Sequence, residues 1–586
     1  MAKQKNGLEH RLIEHLRLLY PDENLLFIAN LLISTMGLSA DTKGPKPHRN
    51  LWSEKDSILI SYGNSIRNDK EKPLKTLKRF MDTHIKGVVS GVHLLPFFPY
   101  SSDDGFSVMD YLTVNPSLGE WDDVTAIAKS YKLMSDLVIN HVSSRSRWFD
   151  NYKKRIDPGK DYFFEADPQD DIGGVVRPRN SPLLTPVETA DGVRHVWCTF
   201  SADQVDFNFK NPQVLIEFVK IIRSYLERGI KIFRMDAVAF LWKQVGGPCI
   251  HLQETHEVIK LLRTLIEHHT FDAIIITETN VPNRENLTYF GNANEAHIIY
   301  NFSLPPLLLY TLLSGDCRPI KTWMMTMPPA QSGTAYLNFI ASHDGIGLRP
   351  LDGLVGDEER GAMADTVQKF GGRVTYRHAG GGTEQAYELN VSLYDALKGT
   401  MEKGEDQWQL QRFICAHVIM IALEGIPAIY IHSLFGTEND YDRLEHAGHN
   451  RAINRHIWDE NKLHKVLADE HGHHHKVFER LLFLLKIRRM QPAFHPNATQ
   501  FTLHLGTEVF AFWRQSIKRD QSIFCLNNIT DIEQRINLSD INLISTNQWT
   551  DLLTGDSFVD LDGQLVLEPY QSVWLSNQII TGRVNK

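Results

Sequence analysis

A chain of 586 residues, 42% hydrophobic and 23% charged, is long enough to bury a sizeable core and to divide into two or three structural units. Its net charge of −9 at pH 7 argues against a nucleic-acid binder, whose contact face needs a basic surplus. The five cysteines (Cys198, Cys249, Cys317, Cys415, Cys525) are scattered and never form a CxxC pair, so neither a disulfide framework nor a thiolate metal site is indicated.

The segment from Met1 to Gly7 leads into an amphipathic helix rather than a signal-peptide core, which with the cysteine usage points to a cytoplasmic protein. Residues 1–55 read as a helical extension ending in the loop Thr42-Lys-Gly-Pro-Lys-Pro47. From there strand-like runs alternate with helical ones. The expected strands are Ile58–Tyr62, Gly91–Pro96, Leu133–Asn140, Ile230–Asp236, Ala273–Thr279, Ile298–Phe302, Tyr336–Ser342 and Ile426–His432, with helices such as Asn211–Arg228 and Gln253–His268 between them. Eight apolar strands with intervening helices fit an α/β fold of the parallel (β/α)8 barrel type, over residues 56–497.

Two connections are too long for ordinary strand-to-helix loops. Residues 142–205 follow the third strand and residues 345–405 the seventh, so both insertions should wall the catalytic face. Gly380-Gly381-Gly382 in the second is a candidate hinge or an ordinary turn. The most apolar long stretch, Phe413 to Phe435, contains His417, Glu424, Gly425 and Pro427 and reads as a buried helix turning into a strand, not a membrane span. Residues 498–586 change to short alternating runs, the pattern of a small antiparallel β domain. The tract His471-Gly-His-His-His475 at a helix start reads as solvated surface rather than a metal site.

Chemistry is signalled by carboxylates placed after apolar runs: Asp236 in Gly229-Ile-Lys-Ile-Phe-Arg-Met-Asp236, Glu278 in Ala273-Ile-Ile-Ile-Thr-Glu278, and Asp344 in Leu337-Asn-Phe-Ile-Ala-Ser-His-Asp344. In a parallel barrel the C-terminal strand ends share one active site. Charges at several such ends are costly unless they converge on a polar ligand, with glycoside cleavage the leading case.

The segments Asp136-Leu-Val-Ile-Asn-His141, Phe233-Arg-Met-Asp-Ala237, Thr277-Glu-Thr279 and Ala341-Ser-His-Asp344 resemble, in order, the four conserved regions of the α-amylase superfamily of retaining α-glucoside enzymes. The run Leu94 to Tyr111, Arg177-Pro-Arg179 and Ile453-Asn-Arg-His456 resemble its sucrose phosphorylase branch. Within that branch Ser101 to Val108, Thr277 to Pro282 and Ser342 to Gly347 are most similar to glucosylglycerate phosphorylases.

The resemblance implies roles residue by residue. Asp236 would be the nucleophile, Arg234 the cation that keeps it ionised, Glu278 the acid/base, and Asp344 with His343 the grip on the sugar hydroxyls. Asp103, His141 and Arg455 match positions that bind the terminal glucose, and Phe106 an aromatic that packs on it. Arg179 matches a phosphate-contacting arginine, with Arg177 beside it. Arg373, Arg377 and His378, just before Tyr387-Glu388 of the acceptor loop, serve the acceptor or phosphate on one reading and are solvated loop charges on the other.

The acceptor loop reads Gln385-Ala-Tyr-Glu-Leu-Asn390 where sucrose phosphorylases carry Tyr-Gln-Val-Asn, which argues against fructose. Expected substrates are therefore glucosylglycerate first, then glucosylglycerol, then sucrose or its 6-phosphate. A hydrolase or transglucosidase of the same superfamily is the other reading. No cofactor and no metal are expected, inorganic phosphate being a co-substrate. Nor is a nucleic-acid or membrane partner expected, and the protein would be a monomer or homodimer.

Overall fold

The computed structural model describes residues 7–379, 383–541, 543, 548–558 and 563–578. The Gly380–Gly382 stretch and the side chain of His378 lie outside the described residues.

Eight strands close a parallel barrel: β1 (Ile58–Ser61), β2 (Gly91–Leu94), β3 (Lys132–Val138), β4 (Ile230–Asp236), β5 (Ile274–Thr277), β6 (Ile298–Tyr300), β7 (Ala335–Asn338) and β8 (Ile426–Tyr430). They pair in chain order, and β8 returns to β1 through Ile58↔Ala428. Each is the core of one expected run. A strand covered on both faces reads as an unbroken apolar string, and nearly every residue of the eight is buried. The largest difference is β7, which ends at Asn338 rather than Ser342. There the Asn338 side chain donates to Glu424 O at 2.8 Å, and the chain leaves the sheet, so Asp344 sits on a loop beyond the strand.

The N-terminal extension is helical only to residue 35. Helix α1 (Leu8–Leu19) buries Leu8, Leu12, Leu16 and Leu19, one face at helical spacing, and α2 (Leu25–Thr35) is capped by Asn24, which accepts from Phe27 N at 3.1 Å. Beyond it Gly37, in the left-handed region at φ 73°, and the prolines at 45 and 47 prevent continuation. Helix α3 (Pro212–Glu227) starts with Asn211 as cap and Pro212 in its first turn, and α4 is Gln253–His269. The extension packs on these two barrel helices: α1 against α4, with His15 Nδ1 2.6 Å from Glu257 Oε1, and α2 against α3.

Both insertions leave the C-terminal face. In the first, strand His141–Ser143 pairs with Gln204–Asp206, and a hairpin joins Leu184–Thr189 to Gly192–Trp197. The second holds strand Ile346–Gly347, a helix Asp357–Lys369 and a hairpin of Arg373–Ala379 with Thr383–Asn390. Residues from Thr499 onward form a six-stranded sheet with its own core around Leu526, Trp549 and Leu575. The apolar stretch is helix Gln409–Ala422 followed by β8, and among the described residues no helix is long and apolar enough to cross a membrane. The histidine tract differs from the solvated surface expected. His473 Nε2, His474 Nδ1 and His475 Nδ1 each sit within 3.1 Å of a backbone carbonyl (of Gly436, Phe435 and Leu467), so the rings are half-buried helix-start packing.

Candidate active site

At the C-terminal end of the barrel a cavity is lined by Asp103, Phe106, His141, Arg234, Asp236, Glu278, His343, Asp344, Tyr387 and Glu388, with Arg177, Arg179 and Arg377 from the insertions. The register of β4 and β5 explains the central pair. Thr277 lies opposite Met235 and Glu278 N donates to Met235 O at 3.1 Å, so the next residues, Asp236 and Glu278, project from adjacent strand ends into one space. Ala237 follows at φ 51°, a left-handed turn that points its N–H at Glu278 Oε2, 3.0 Å away.

Arg234 organises the acids. Its Nη1 donates to Asp236 Oδ1 at 2.5 Å and Asp136 Oδ1 at 2.6 Å, while Nη2 stands 4.0 Å from Glu278 Oε1. Asp136 is in turn 2.8 Å from His93 Nε2, so it is a buried anchor for Arg234 rather than a group facing the cavity. Burial pushes the Asp236 carboxyl upward, and the Arg234 guanidinium opposes that shift. For Glu278 burial raises the carboxyl to about 7 against the pull of Arg234, with Asp236 and Asp344 adding to the rise. One acid is thus salt-bridged and its neighbour protonated near neutrality, the division of labour that displacement at an acetal carbon needs.

Around this pair lie groups suited to a sugar ring. Burial would raise Asp344, but the Arg451 guanidinium beside it holds its carboxyl far below the usual range. His343 is kept neutral by burial, its pKa lowered to about 3, and its ring stacks on Phe106 at 5.0 Å. His141 Nε2 lies 3.1 Å from Phe106 O and 3.2 Å from Gln204 Nε2, and Gln204 donates to Asp103 Oδ2 at 3.3 Å.

Three residues read from the sequence stand differently in the structure. Arg455 is buried behind the wall: its Nη1 donates to Asp104 Oδ2 at 2.6 Å and its Nε to His343 O at 2.8 Å, so it braces the loop that carries Asp103 and does not line the cavity. Arg373 is exposed and does not line the cavity: its Nη1 turns back to donate to Gly372 O at 3.2 Å. Glu388 lines the cavity, yet both its oxygens accept from Arg451, at 3.0 and 2.7 Å.

Arg451 is the main residue that the sequence reading misses. It also donates to Asp344 Oδ1 at 2.5 Å, joining the sugar-side acid to the acceptor loop. Its only signal is its place four residues before Arg455 in Arg451-Ala-Ile-Asn-Arg455. Gln204 and Lys243 are missed as well. The Lys243 ammonium lies 2.7 Å from Asn140 Oδ1 and 2.8 Å from Asp206 Oδ2, so oxygens of the kind a calcium ion takes are already held by a cation of the chain itself. Among the described residues no group of three or more His, Cys, Asp or Glu is disposed to hold a metal ion.

Residues 84–345 match the alpha amylase catalytic domain. The chain is 40% identical over 576 residues to a glucosylglycerate phosphorylase of Allomeiothermus silvanus, covering 98% of this chain and 100% of that protein.

The chain belongs to the glucoside phosphorylase branch of the α-amylase superfamily.

A glucosylglycerate phosphorylase of Escherichia coli is 39% identical over 528 residues, covering 89% of this chain and 92% of that protein. Among solved structures, sucrose 6F-phosphate phosphorylase from Thermoanaerobacter thermosaccharolyticum shares the fold with a TM-score of 0.70 at 23% identity, covering 81% of this chain and 94% of that one.

Proposed function

We propose that the protein is a retaining α-glucoside phosphorylase that converts a small glucoside of an acidic acceptor, glucosylglycerate first, and phosphate to α-glucose 1-phosphate and the free acceptor. Asp236 attacks the anomeric carbon while Glu278 protonates the departing oxygen, giving a β-glucosyl-enzyme and the freed acceptor. A phosphate oxygen then attacks the same carbon, Asp236 leaves, and two inversions give net retention. Asp344, held ionised by Arg451, binds ring hydroxyls and stabilises the positive charge that develops at the anomeric carbon. Neutral His343, His141 and Asp103 complete the glucose site, with the Phe106 ring as its floor.

The observation that carries this reading is charge. The acids nearest the reacting carbon are answered by Arg234 and Arg451, whereas Arg179 and Arg377 line the same cavity with no carboxylate partner among the described residues. A hydrated dianion enters such a site only if charge-assisted bonds replace its water. Water as the acceptor needs no such cations. No cofactor takes part in this reading.

The test is incubation with α-glucose 1-phosphate and, separately, glycerate, glycerol, fructose, fructose 6-phosphate or no acceptor, following phosphate release. Release that depends on glycerate is expected. Release at one rate whatever the acceptor means that water is the true partner and overturns the reading.

A further inference from the structure

We infer that Arg349 and Asn280 form the seat for the carboxylate and adjoining hydroxyl of the acceptor, separate from the arginines contributed by the first insertion. This rests on the phosphorylase reading and adds the residues that would select an acidic acceptor over a neutral one.

Arg349 lines the cavity and opens the short turn Arg349–Leu351, just after the strand Ile346–Gly347. That strand is zipped to the acceptor loop through Ile346↔Leu389 and Gly347↔Glu388, and Leu348 N donates to Tyr387 O at 2.9 Å. Arg349 is therefore fixed on the same wall as Tyr387. Its side chain donates no hydrogen bond among the described residues. Its nearest acid, Glu285 Oε2, stands 3.7 Å away, beyond hydrogen-bonding range, and lies 3.1 Å from His251 Nε2. A guanidinium at a cavity wall with its donors unused is a receptor for a planar oxyanion, since its fork matches a carboxylate bidentately.

The second observation is Asn280, two residues beyond Glu278. Asn280 lines the same cavity, and its Oδ1 is buried without a hydrogen-bond partner. Buried acceptors are rarely left unpaired, so an unpaired one beside the acid/base points to a ligand hydroxyl. Asn280 and Arg349 share a neighbourhood, because a Cβ on Gly347 would fall 2.8 Å from Asn280 Nδ2, and Gly347 is two residues before Arg349. The segment from Asn280 to Glu285 thus lies along the turn that begins at Arg349. The other acids of this wall, Asp344 and Glu388, both pair with Arg451, so neither draws on the Arg349 guanidinium.

The ligand class that fits is a small 2-hydroxy acid with a further hydroxyl, of which glycerate is the simplest. Its carboxylate meets Arg349, a hydroxyl donates to Asn280 Oδ1, and the glycosidic oxygen stays near Glu278. Arg177 and Arg179, on the first insertion, remain available to phosphate, so leaving acceptor and entering anion need not compete for one cation pair.

The test compares the wild type with Arg349→Gln, Arg349→Lys and Asn280→Ala, using α-glucose 1-phosphate with glycerate or glycerol. Arg349→Gln is expected to lower the glycerate-to-glycerol ratio of kcat/KM at least tenfold through the KM of glycerate. The KM of α-glucose 1-phosphate should stay within threefold, and Arg349→Lys should recover part of the loss. Asn280→Ala should raise the KM of both acceptors. Calorimetric titration with glycerate alone reads the same seat without turnover and should show weakened binding in Arg349→Gln. An unchanged glycerate-to-glycerol ratio, or unchanged glycerate binding, overturns the inference while leaving the phosphorylase reading intact. A wild type that releases no phosphate with any acceptor overturns both.

Discussion

Replacing Arg451 with Met tests how the glucose site is built. The guanidinium donates to Asp344 Oδ1 at 2.5 Å and to both oxygens of Glu388, at 3.0 and 2.7 Å. The Glu388 side chain is only 6% exposed and that of Asp344 24%, so solvent cannot replace the lost partner fully. Removing one member of a buried pair costs about 3–5 kcal/mol, and the partial exposure of Asp344 favours the lower end. If about 3 kcal/mol of that is lost from the transition state, kcat/KM falls by about two orders of magnitude. The assay is initial rates in the synthetic direction, with thermal unfolding measured in parallel so that a misfolded variant is recognised. The double variant Arg451→Met/Glu388→Gln should recover part of the loss, because the second of two facing acids is neutralised. A folded Arg451→Met variant within about threefold of wild-type kcat/KM would refute the assignment of Asp344 and its arginine to transition-state stabilisation.

Glu278 must be protonated to release the acceptor. With its pKa at about 7, kcat/KM for phosphorolysis should decline as pH rises through that value, the proton being lost on the alkaline side. A glucosyl fluoride donor, whose leaving group needs no proton, should not show that limb, and the same alkaline limb with both donors would contradict the acid role. Lys243→Met leaves Asp206 buried opposite Asn140 without a cation, and should cost about 3–5 kcal/mol in denaturant unfolding at pH 7. A loss under about 1 kcal/mol would mean that the ammonium is not what ties the first insertion to the barrel.

The barrel is legible in the sequence because buried parallel strands are uninterrupted apolar strings, and because a carboxylate such as Asp236 or Glu278 directly after one stands out against them. What the sequence hides are pairings set by the fold. Asp103 and Asp104 are adjacent acids, yet backbone at φ 54° and 46° sends Asp103 to the cavity and Asp104 to Arg455. Arg451 and Glu388 are 63 residues apart, and neither shows its partner in one dimension. Arg373 and Arg377 share a face on simple alternation, yet Arg377 lines the cavity while Arg373 turns back onto the Gly372 carbonyl. Lys243 carries no local mark of its buried role between Asn140 and Asp206, which belong to the barrel and the first insertion. The helical extension is carried past Thr35 in the sequence reading because a single glycine, Gly37, does not announce the left-handed backbone that ends the helix there.

The central claim is a glucosyl group carried on Asp236 and passed to phosphate. The most direct measurement is the intact mass of the Glu278→Gln variant after mixing with α-glucosyl fluoride, followed by peptide mapping and then addition of phosphate. The account predicts a gain of one glucosyl residue on the peptide containing Asp236, discharged by phosphate to α-glucose 1-phosphate. No adduct, an adduct on another residue, or an adduct that water removes as fast without phosphate would contradict it.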